Sequence, residues 1–294
     1  MGSVNQAAYN YKKWKDEIAQ EEDGKNKKYD ILTIAERKFQ QGRGKVMAKQ
    51  NIYDNECFFE GYKKMRQNEI NANTLFEIPE LFAMLPDLNR KTILDMGCGF
   101  GEHCIKFVEA GAEAVVGIDI SEKMLEIAEA ENGHPSISYI HMPIEEISKL
   151  HKKFDVVISS LAMHYVENYE AVVRDVYQLL NHGGAFVFSQ EHPLTTCFSS
   201  GNRWTKDENG KKLYLNLMDY GVEGERETTW FVDGVKKYHR TFSTMINTLI
   251  QEGFCIESVA EPLPTTEILE KYPGYADLFH KPDFLLIKAG KRVK

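Results

Sequence analysis

The stretch Thr92-Ile93-Leu94-Asp95-Met96-Gly97-Cys98-Gly99-Phe100-Gly101-Glu102-His103 decides how the chain is read. It starts as a short apolar run closed by a carboxylate, turns on three glycines, and enters a segment of helical character. Glycines at a strand-to-helix turn let the backbone approach a ligand without Cβ obstruction, at the carboxyl end of a central strand. A second apolar run, Ala114-Val115-Val116-Gly117-Ile118, ends in Asp119, twenty residues after Gly99. A carboxylate there can accept hydrogen bonds from both hydroxyls of a ribose. Ser121 suits the N-cap of the helix that follows.

Outward from this turn the pattern alternates. Strands are predicted at 92–96, 114–118, 137–141, 154–159 and 184–189, with helices near 102–110, 121–131 and 168–181. In the last of these helices, Val172, Val173, Val176, Leu179 and Leu180 form a one-sided stripe. Gly183 and Gly184 then provide a C-terminal stop. Alternation of this kind implies an α/β fold: a mainly parallel sheet with helices on both faces. A helix near 243–252 and strands near 254–260 and 283–289 complete it. Upstream, a helical stretch containing Ile70, Leu75, Phe76, Ile78, Leu81, Phe82 and Leu85 stops at Pro86-Asp87.

Composition narrows the classes. The 294 residues are 43% hydrophobic and 27% charged, which excludes wholesale disorder or a fibrous repeat. No apolar run reaches the roughly 18–20 residues of a membrane span, and no secretory h-region is visible. The net charge of −8 divides into +4 over residues 1–50 and −12 over the rest. An acidic body lacks the basic groove that binds phosphate-rich partners, so nucleic acid is disfavoured. Five cysteines without CxxC spacing fit a reducing cytoplasm. Cys98, His103 and Cys104 are close in sequence, but no fourth ligand accompanies them and no metal is expected. The organisation expected is a basic helical extension over 1–50, a helical lid over 51–90, and a cofactor-binding domain over 91–290 with a substrate-side insert at 193–252.

Two cofactor classes use such a turn. A dinucleotide needs GxGxxG facing a pyrophosphate. Here the third glycine falls one residue early, and Asp95 beside the loop would repel a pyrophosphate. The same carboxylate suits a ligand bearing an ammonium and a sulfonium. Residues 91–192 resemble the class I S-adenosylmethionine-dependent methyltransferases, especially the type 11 branch of small-molecule enzymes. The loop at 95–101 is similar to that family's first motif, and Asp119 to its ribose acid. The run from Phe154 and Asp155 through Ser160, Leu161, His164 and Tyr165 resembles its fourth motif. The stretch from Leu179 through Gly184 resembles its turn into the fifth strand. The resemblance implies a Rossmann-like three-layer sandwich with seven strands, the last (284–289) antiparallel. S-adenosyl-L-methionine would be the cofactor and S-adenosyl-L-homocysteine the product. Asp95, Gly97, Cys98, Gly99, Gly101, Asp119, Ile120, Ser160 and Leu161 would surround it. At the adenine end, an apolar wall is expected around His141-Met142-Pro143-Ile144-Glu145, with a backbone N–H from Ile144 and Met124 over the ring face.

Methyl transfer to an oxygen or nitrogen requires collinear alignment and a base where the acceptor carries a proton. His192 after the fifth strand is the first choice of base, with His164 and His239 as alternatives. Residues 192–242 hold eight aromatics, among them Trp230. Asp233-Gly234 reads as a two-residue hairpin turn, which would set Trp230 opposite Lys237, Thr228 opposite His239, and Glu227 opposite Arg240. Trp230, Arg240, Tyr165 and Tyr53 are the expected acceptor contacts, and the acceptor is expected to be a small molecule. An RNA methyltransferase tethered by the basic lead, a non-catalytic S-adenosylmethionine-binding protein and a nicotinamide enzyme are the other readings of the same residues.

Overall fold

The computed structural model describes residues 51–66 and 70–292. The described elements all lie in the unit Gln50–Lys294; the basic extension expected at 1–50 lies outside the described residues.

The first elements are a helix α1 (Glu56–Arg66), a π-turn at Asn73–Glu77 and the helix α2 (Ile78–Met84) that continues it. The alternation predicted from the sequence follows: β1 (Thr92–Met96), α3 (Glu102–Glu109), β2 (Ala114–Asp119), α4 (Glu122–Asn132), β3 (Ile137–His141), β4 (Phe154–Ser159), α5 (Tyr169–Leu179) and β5 (Leu180–Glu191). A short helix α6 (Pro193–Thr196) opens the insert, which holds β6 (Trp204–Lys206), β7 (Lys212–Leu215), β8 (Gly224–Trp230) and β9 (Val232–His239). The chain closes with α7 (Phe242–Gln251), β10 (Phe254–Ala260), α8 (Thr266–Lys271) and β11 (Phe284–Lys291).

Seven strands form one sheet in the order β10-β11-β5-β4-β1-β2-β3. All neighbours are parallel except β11, which runs antiparallel to both β10 and β5. The strands are apolar on both sides because helices cover both faces. Successive side chains alternate, so Leu94, Val116 and Val157 join α5 and α7 in one core. Ile93, Val115 and Val156 join α2 and α3 in the other. The order reverses between β1 and β4, which places a crevice at their carboxyl ends.

The predicted lid divides in two. Phe76, Leu81 and Met84 of the 70–85 segment are core residues against the sheet. The 51–66 segment reaches the strand ends through Asn51, Asp54 and Phe59, which contact Ile120, Ser121 and Phe100.

β5 starts four residues earlier than predicted. Leu180 pairs with Phe154 directly after α5, and a register shift with Gly183 at φ +79° absorbs the glycines within the strand. They bend β5 rather than precede it.

The β8–β9 hairpin also departs from expectation. Gly224 faces His239, Arg226 faces Lys237 and Glu227 faces Lys236. Phe231, at φ +57°, makes the turn. Asp233-Gly234 lies inside β9 where the register shifts, with Gly234 at φ +79°, a bulge rather than a turn. The cause is tertiary: the Phe231 ring is held on α1, 5.5 Å from Phe58, where a Cβ on Gly61 would come within 2.7 Å of it. Glu227 therefore does not brace Arg240. The Arg240 guanidinium donates instead to the carbonyls of Val166 and Glu167.

Candidate active site at the carboxyl ends of the strands

The turn after β1 is held by its own backbone. Gly97 and Cys98 N–H groups both donate to the Ile118 carbonyl at 2.9 Å, tying the loop to the end of β2. Gly97, Gly99 and Gly101 have φ of +76°, +55° and +76°, a region that favours glycine. A Cβ on Gly97 would meet Ala162, and one on Gly101 would collide with the Tyr139 hydroxyl. A Cβ on Gly99 would meet nothing within 4 Å, so this side of the loop faces open space.

Asp119 borders that space. Gly99 N–H donates to its Oδ2 and Ser121 N–H to its Oδ1, both at 2.9 Å, which orients the carboxylate by two fixed donors. Ser121 caps α4 as expected, its Oγ accepting Met124 N–H at 3.2 Å. Asp54, ahead of α1, accepts the Ser121 hydroxyl at 2.5 Å, and Asn51 donates to the Ile120 carbonyl at 2.9 Å. The segment before α1 thereby closes the ribose side of the crevice.

Four carboxyls converge here. Asp95 is 1% exposed at the end of β1, and burial pushes its carboxyl up to about 7 despite a Cys104 thiol donating at 3.3 Å. Burial also raises Asp119, against the N–H groups that favour its ionised form, and Asp54 adds to the rise. Glu77, wholly buried, comes from the π-turn before α2; the hydroxyls of Ser160 (2.8 Å) and Ser189 donate to its Oε1. Its charge acts on Asp95 as well. Leu161 follows Ser160 at φ +52°, rare for a non-glycine residue, with its N–H held by Ser189 (2.9 Å to Oγ, 3.1 Å to the carbonyl). A buried acidic crevice of this kind fits a cation.

The residues expected at the adenine end follow β2 and β3. Ile144 opens a 3₁₀ turn at Ile144–Leu150, and its Cδ1 lies 3.8 Å from the Cβ that Gly97 lacks. Met124 is 2% exposed and Glu145 half-buried.

The opposite wall is aromatic. The Tyr53 ring is 5.0 Å from Phe58, 5.4 Å from Tyr62 and 6.2 Å from Tyr165. Trp230 meets Phe58 at 5.3 Å and Tyr62 at 6.1 Å, while Phe59 and Tyr62 reach Phe100 of the glycine loop. Burial, with Tyr165 and Tyr62 next, raises the Tyr53 hydroxyl well above its ordinary value, and Asp119 contributes to the same shift. Lys237 Nζ stands 5.9 Å from the Tyr165 ring and 5.4 Å from the Trp230 ring, and 2.6 Å from Glu191 Oε1 at the end of β5.

The three histidines divide by their bonds. His192 Nδ1 accepts Leu194 N–H at 3.1 Å as the cap of α6, and Nε2 lies 2.8 Å from Glu261 Oε1. His239 faces the Tyr220 carbonyl through Nε2 and Thr196 Oγ1 through Nδ1, both at 2.9 Å. A carbonyl only accepts, so Nε2 of His239 carries the proton and Nδ1 accepts from the threonine. Neither ring presents a free lone pair in this arrangement. His164 is 3% exposed beside Tyr165, with Glu191 N–H donating to its Nδ1 at 3.4 Å. Burial lowers it to about 4, so it is neutral at pH 7 with its proton on Nε2. Among the described residues no group of three or more His, Cys, Asp or Glu is placed to hold a metal ion, and no helix is long and apolar enough to cross a membrane.

Glu77 and Asp54 had no motif to reveal them. Each lies far from the glycine turn in sequence and reaches it only through the fold; Glu77 sits inside an apolar helical stripe that reads as core.

A glycine turn at the switch point of a parallel sheet, an oriented acid for a ribose and a cluster of buried carboxyls define an enzyme for a cationic nucleoside cofactor. The methyltransferase domain family matches residues 93–184. The S-adenosylmethionine-dependent methyltransferase of Mesorhizobium loti, a solved structure, is 42% identical with a TM-score of 0.67, over 73% of this chain and 97% of that one. A Haemophilus influenzae protein of uncharacterised function is 40% identical over 250 residues, 83% of this chain and 98% of the relative. The ubiquinone biosynthesis O-methyltransferase of Psychrobacter cryohalolentis is 34% identical over 139 residues, 45% of this chain and 51% of that enzyme, so the chain spans about half its length. The chain belongs to the class I S-adenosylmethionine-dependent methyltransferases, and S-adenosylmethionine is its cofactor.

Proposed function

We propose that this methyltransferase acts on an oxygen or nitrogen of a small-molecule acceptor by in-line displacement. The observation that carries the reading is the convergence of the acidic crevice and the aromatic wall at one end of the sheet, where Tyr53 packs on Tyr165 and its neighbours Asn51 and Asp54 bond to Ile120 and Ser121 beside Asp119. S-adenosylmethionine, when bound, supplies an electrophilic methyl group on a sulfonium. The chain's own residues then have three tasks.

Asp119, oriented by Gly99 and Ser121, takes the ribose hydroxyls, and the open space at Gly99 admits the cofactor to the backbone. Asp95 offers a carboxylate to the ammonium, and Ile144, Glu145 and Met124 border the base. Tyr53, Phe58, Tyr62, Tyr165 and Trp230 exclude water and limit the acceptor's freedom, which is where most of the rate gain of such a displacement originates. The 51–66 segment serves as the lid. His164 is the one histidine of the three beside this wall without both nitrogens engaged, but its proton occupies Nε2, so the ring is set to donate a hydrogen bond to the acceptor. Catalysis rests on alignment more than on proton removal, and the small-molecule acceptors named for related enzymes, such as the Psychrobacter O-methyltransferase, are consistent with this.

The test combines calorimetry with S-adenosylhomocysteine and a product-release assay over a panel of small phenols, amines and acids. Binding together with turnover of at least one small acceptor is expected. Turnover of RNA alone, or binding without turnover of any substrate class, would overturn the reading.

A further inference from the structure

A pocket that shares Trp230 and Lys237 with the aromatic wall is lined also by Glu191, Arg203 and Arg226. Its charge is opposite to that of its surroundings. Residues 51–294 carry a net −12, yet this lining holds three cations against one carboxylate. Glu191 and Lys237 neutralise each other at 2.6 Å, with side chains 25% and 10% exposed. Arg226, 9% exposed, donates to the carbonyls of Cys197, Val222, Gly224 and Glu225. Those neutral acceptors satisfy its N–H groups and leave its charge uncompensated. Arg203 stacks on the Phe198 ring at 5.1 Å and makes one long bond, 3.5 Å, to the Thr195 carbonyl. Two positive charges thus remain in a partly buried cleft, where charge-assisted hydrogen bonds are strong.

We propose that this pocket holds a carboxylate of the acceptor, with Arg203 and Lys237 as donors and the Trp230 face beside them directing the rest of the molecule toward Tyr165. This rests on the small-molecule reading above and names the acceptor's class. A phosphate would meet the same cations and the same Glu191, so inorganic phosphate is the comparison that separates the two anions. Arg203 and Lys237 are binding and specificity residues under this proposal.

The test titrates the S-adenosylhomocysteine-saturated protein with a library of aromatic and aliphatic monocarboxylates, each beside its primary amide, and with inorganic phosphate. At least one acid should bind about tenfold or more tighter than its amide. Arg203→Met, which keeps the stem on Phe198, should weaken that acid by about tenfold and leave S-adenosylhomocysteine affinity unchanged. Glu191→Gln should strengthen the acid, because it removes the one negative lining group. A purely structural role for these residues would weaken binding in both variants. No acid preferred over its amide, both variants shifting affinity the same way, or phosphate binding as tightly as the best acid would overturn the proposal. Turnover of a neutral small acceptor with no acid preferred over its amide would overturn this pocket alone, whereas turnover of RNA alone would overturn the small-molecule reading, so the two failures are distinguishable.

Discussion

Asp95 and Asp119 differ in how they are held, and that difference has a measurable consequence. Asp119 receives two backbone N–H groups. Asp95 has the Cys104 thiol, a weak donor, and burial raises its carboxyl to about 7. Raised in the folded state, it retains a proton that the unfolded chain has released, so its contribution to stability declines as pH rises from the ordinary carboxylate range toward 7. A cation in the crevice favours the ionised form and must displace that proton. S-adenosylmethionine affinity should therefore fall by about tenfold per unit as pH drops below about 7, and level off above it. Calorimetry between about pH 5.5 and 7.5 checks this, and Asp95→Asn should remove most of the slope. Asp95, Gly99 and Asp119 were legible in the sequence because backbone geometry sets their spacing locally. Glu77 and Asp54 were not, because no local rule brings a π-turn or the approach to α1 to the strand ends.

At the scale of elements, α1 and the β8–β9 hairpin support each other through aromatic edges. Phe58 is wholly buried, with Tyr53, Trp230 and Phe231 edge-on to it and Tyr62 stacked at 6.4 Å. Phe58→Ala should cost about 3 kcal/mol in the stability of this contact. Amide exchange should accelerate in 56–66 and in the hairpin while β1, β4 and β5 keep their protection, since local opening is then separate from global unfolding. Equal acceleration in the central strands would show that α1 belongs to the core. The hairpin also shows where the sequence pattern misleads. Asp-Gly is a strong local turn signal, but placing Phe231 on α1 at Gly61 moves the turn away from it. Side-chain parity survived, because the shift is an even number of residues: Lys237 and His239 still share a face with Arg226 and Thr228. The centre of the sheet was legible because β1, β2 and β4 are short apolar runs and the helices α3, α4 and α5 come after them in turn.

Over the whole molecule, charge separates the possible partners. The described unit is acidic, and its cation-rich pocket is small and internal, unlike the continuous basic surface that a polyanion requires. The full-length chain should therefore show no RNA affinity that persists at physiological salt, as judged by fluorescence anisotropy with a labelled oligonucleotide across a salt series. A tight complex still formed at physiological salt would return the RNA reading to the front and assign the basic lead a tether's role. The acidic crevice has one more consequence, for the direction of turnover. Asp54, Glu77, Asp95 and Asp119 attract a sulfonium, and the attraction weakens when the departing methyl leaves behind an uncharged thioether. The same carboxyls that gather the cofactor thus relax their grip on what remains of it, so the crevice favours exchange of spent for fresh cofactor at each cycle.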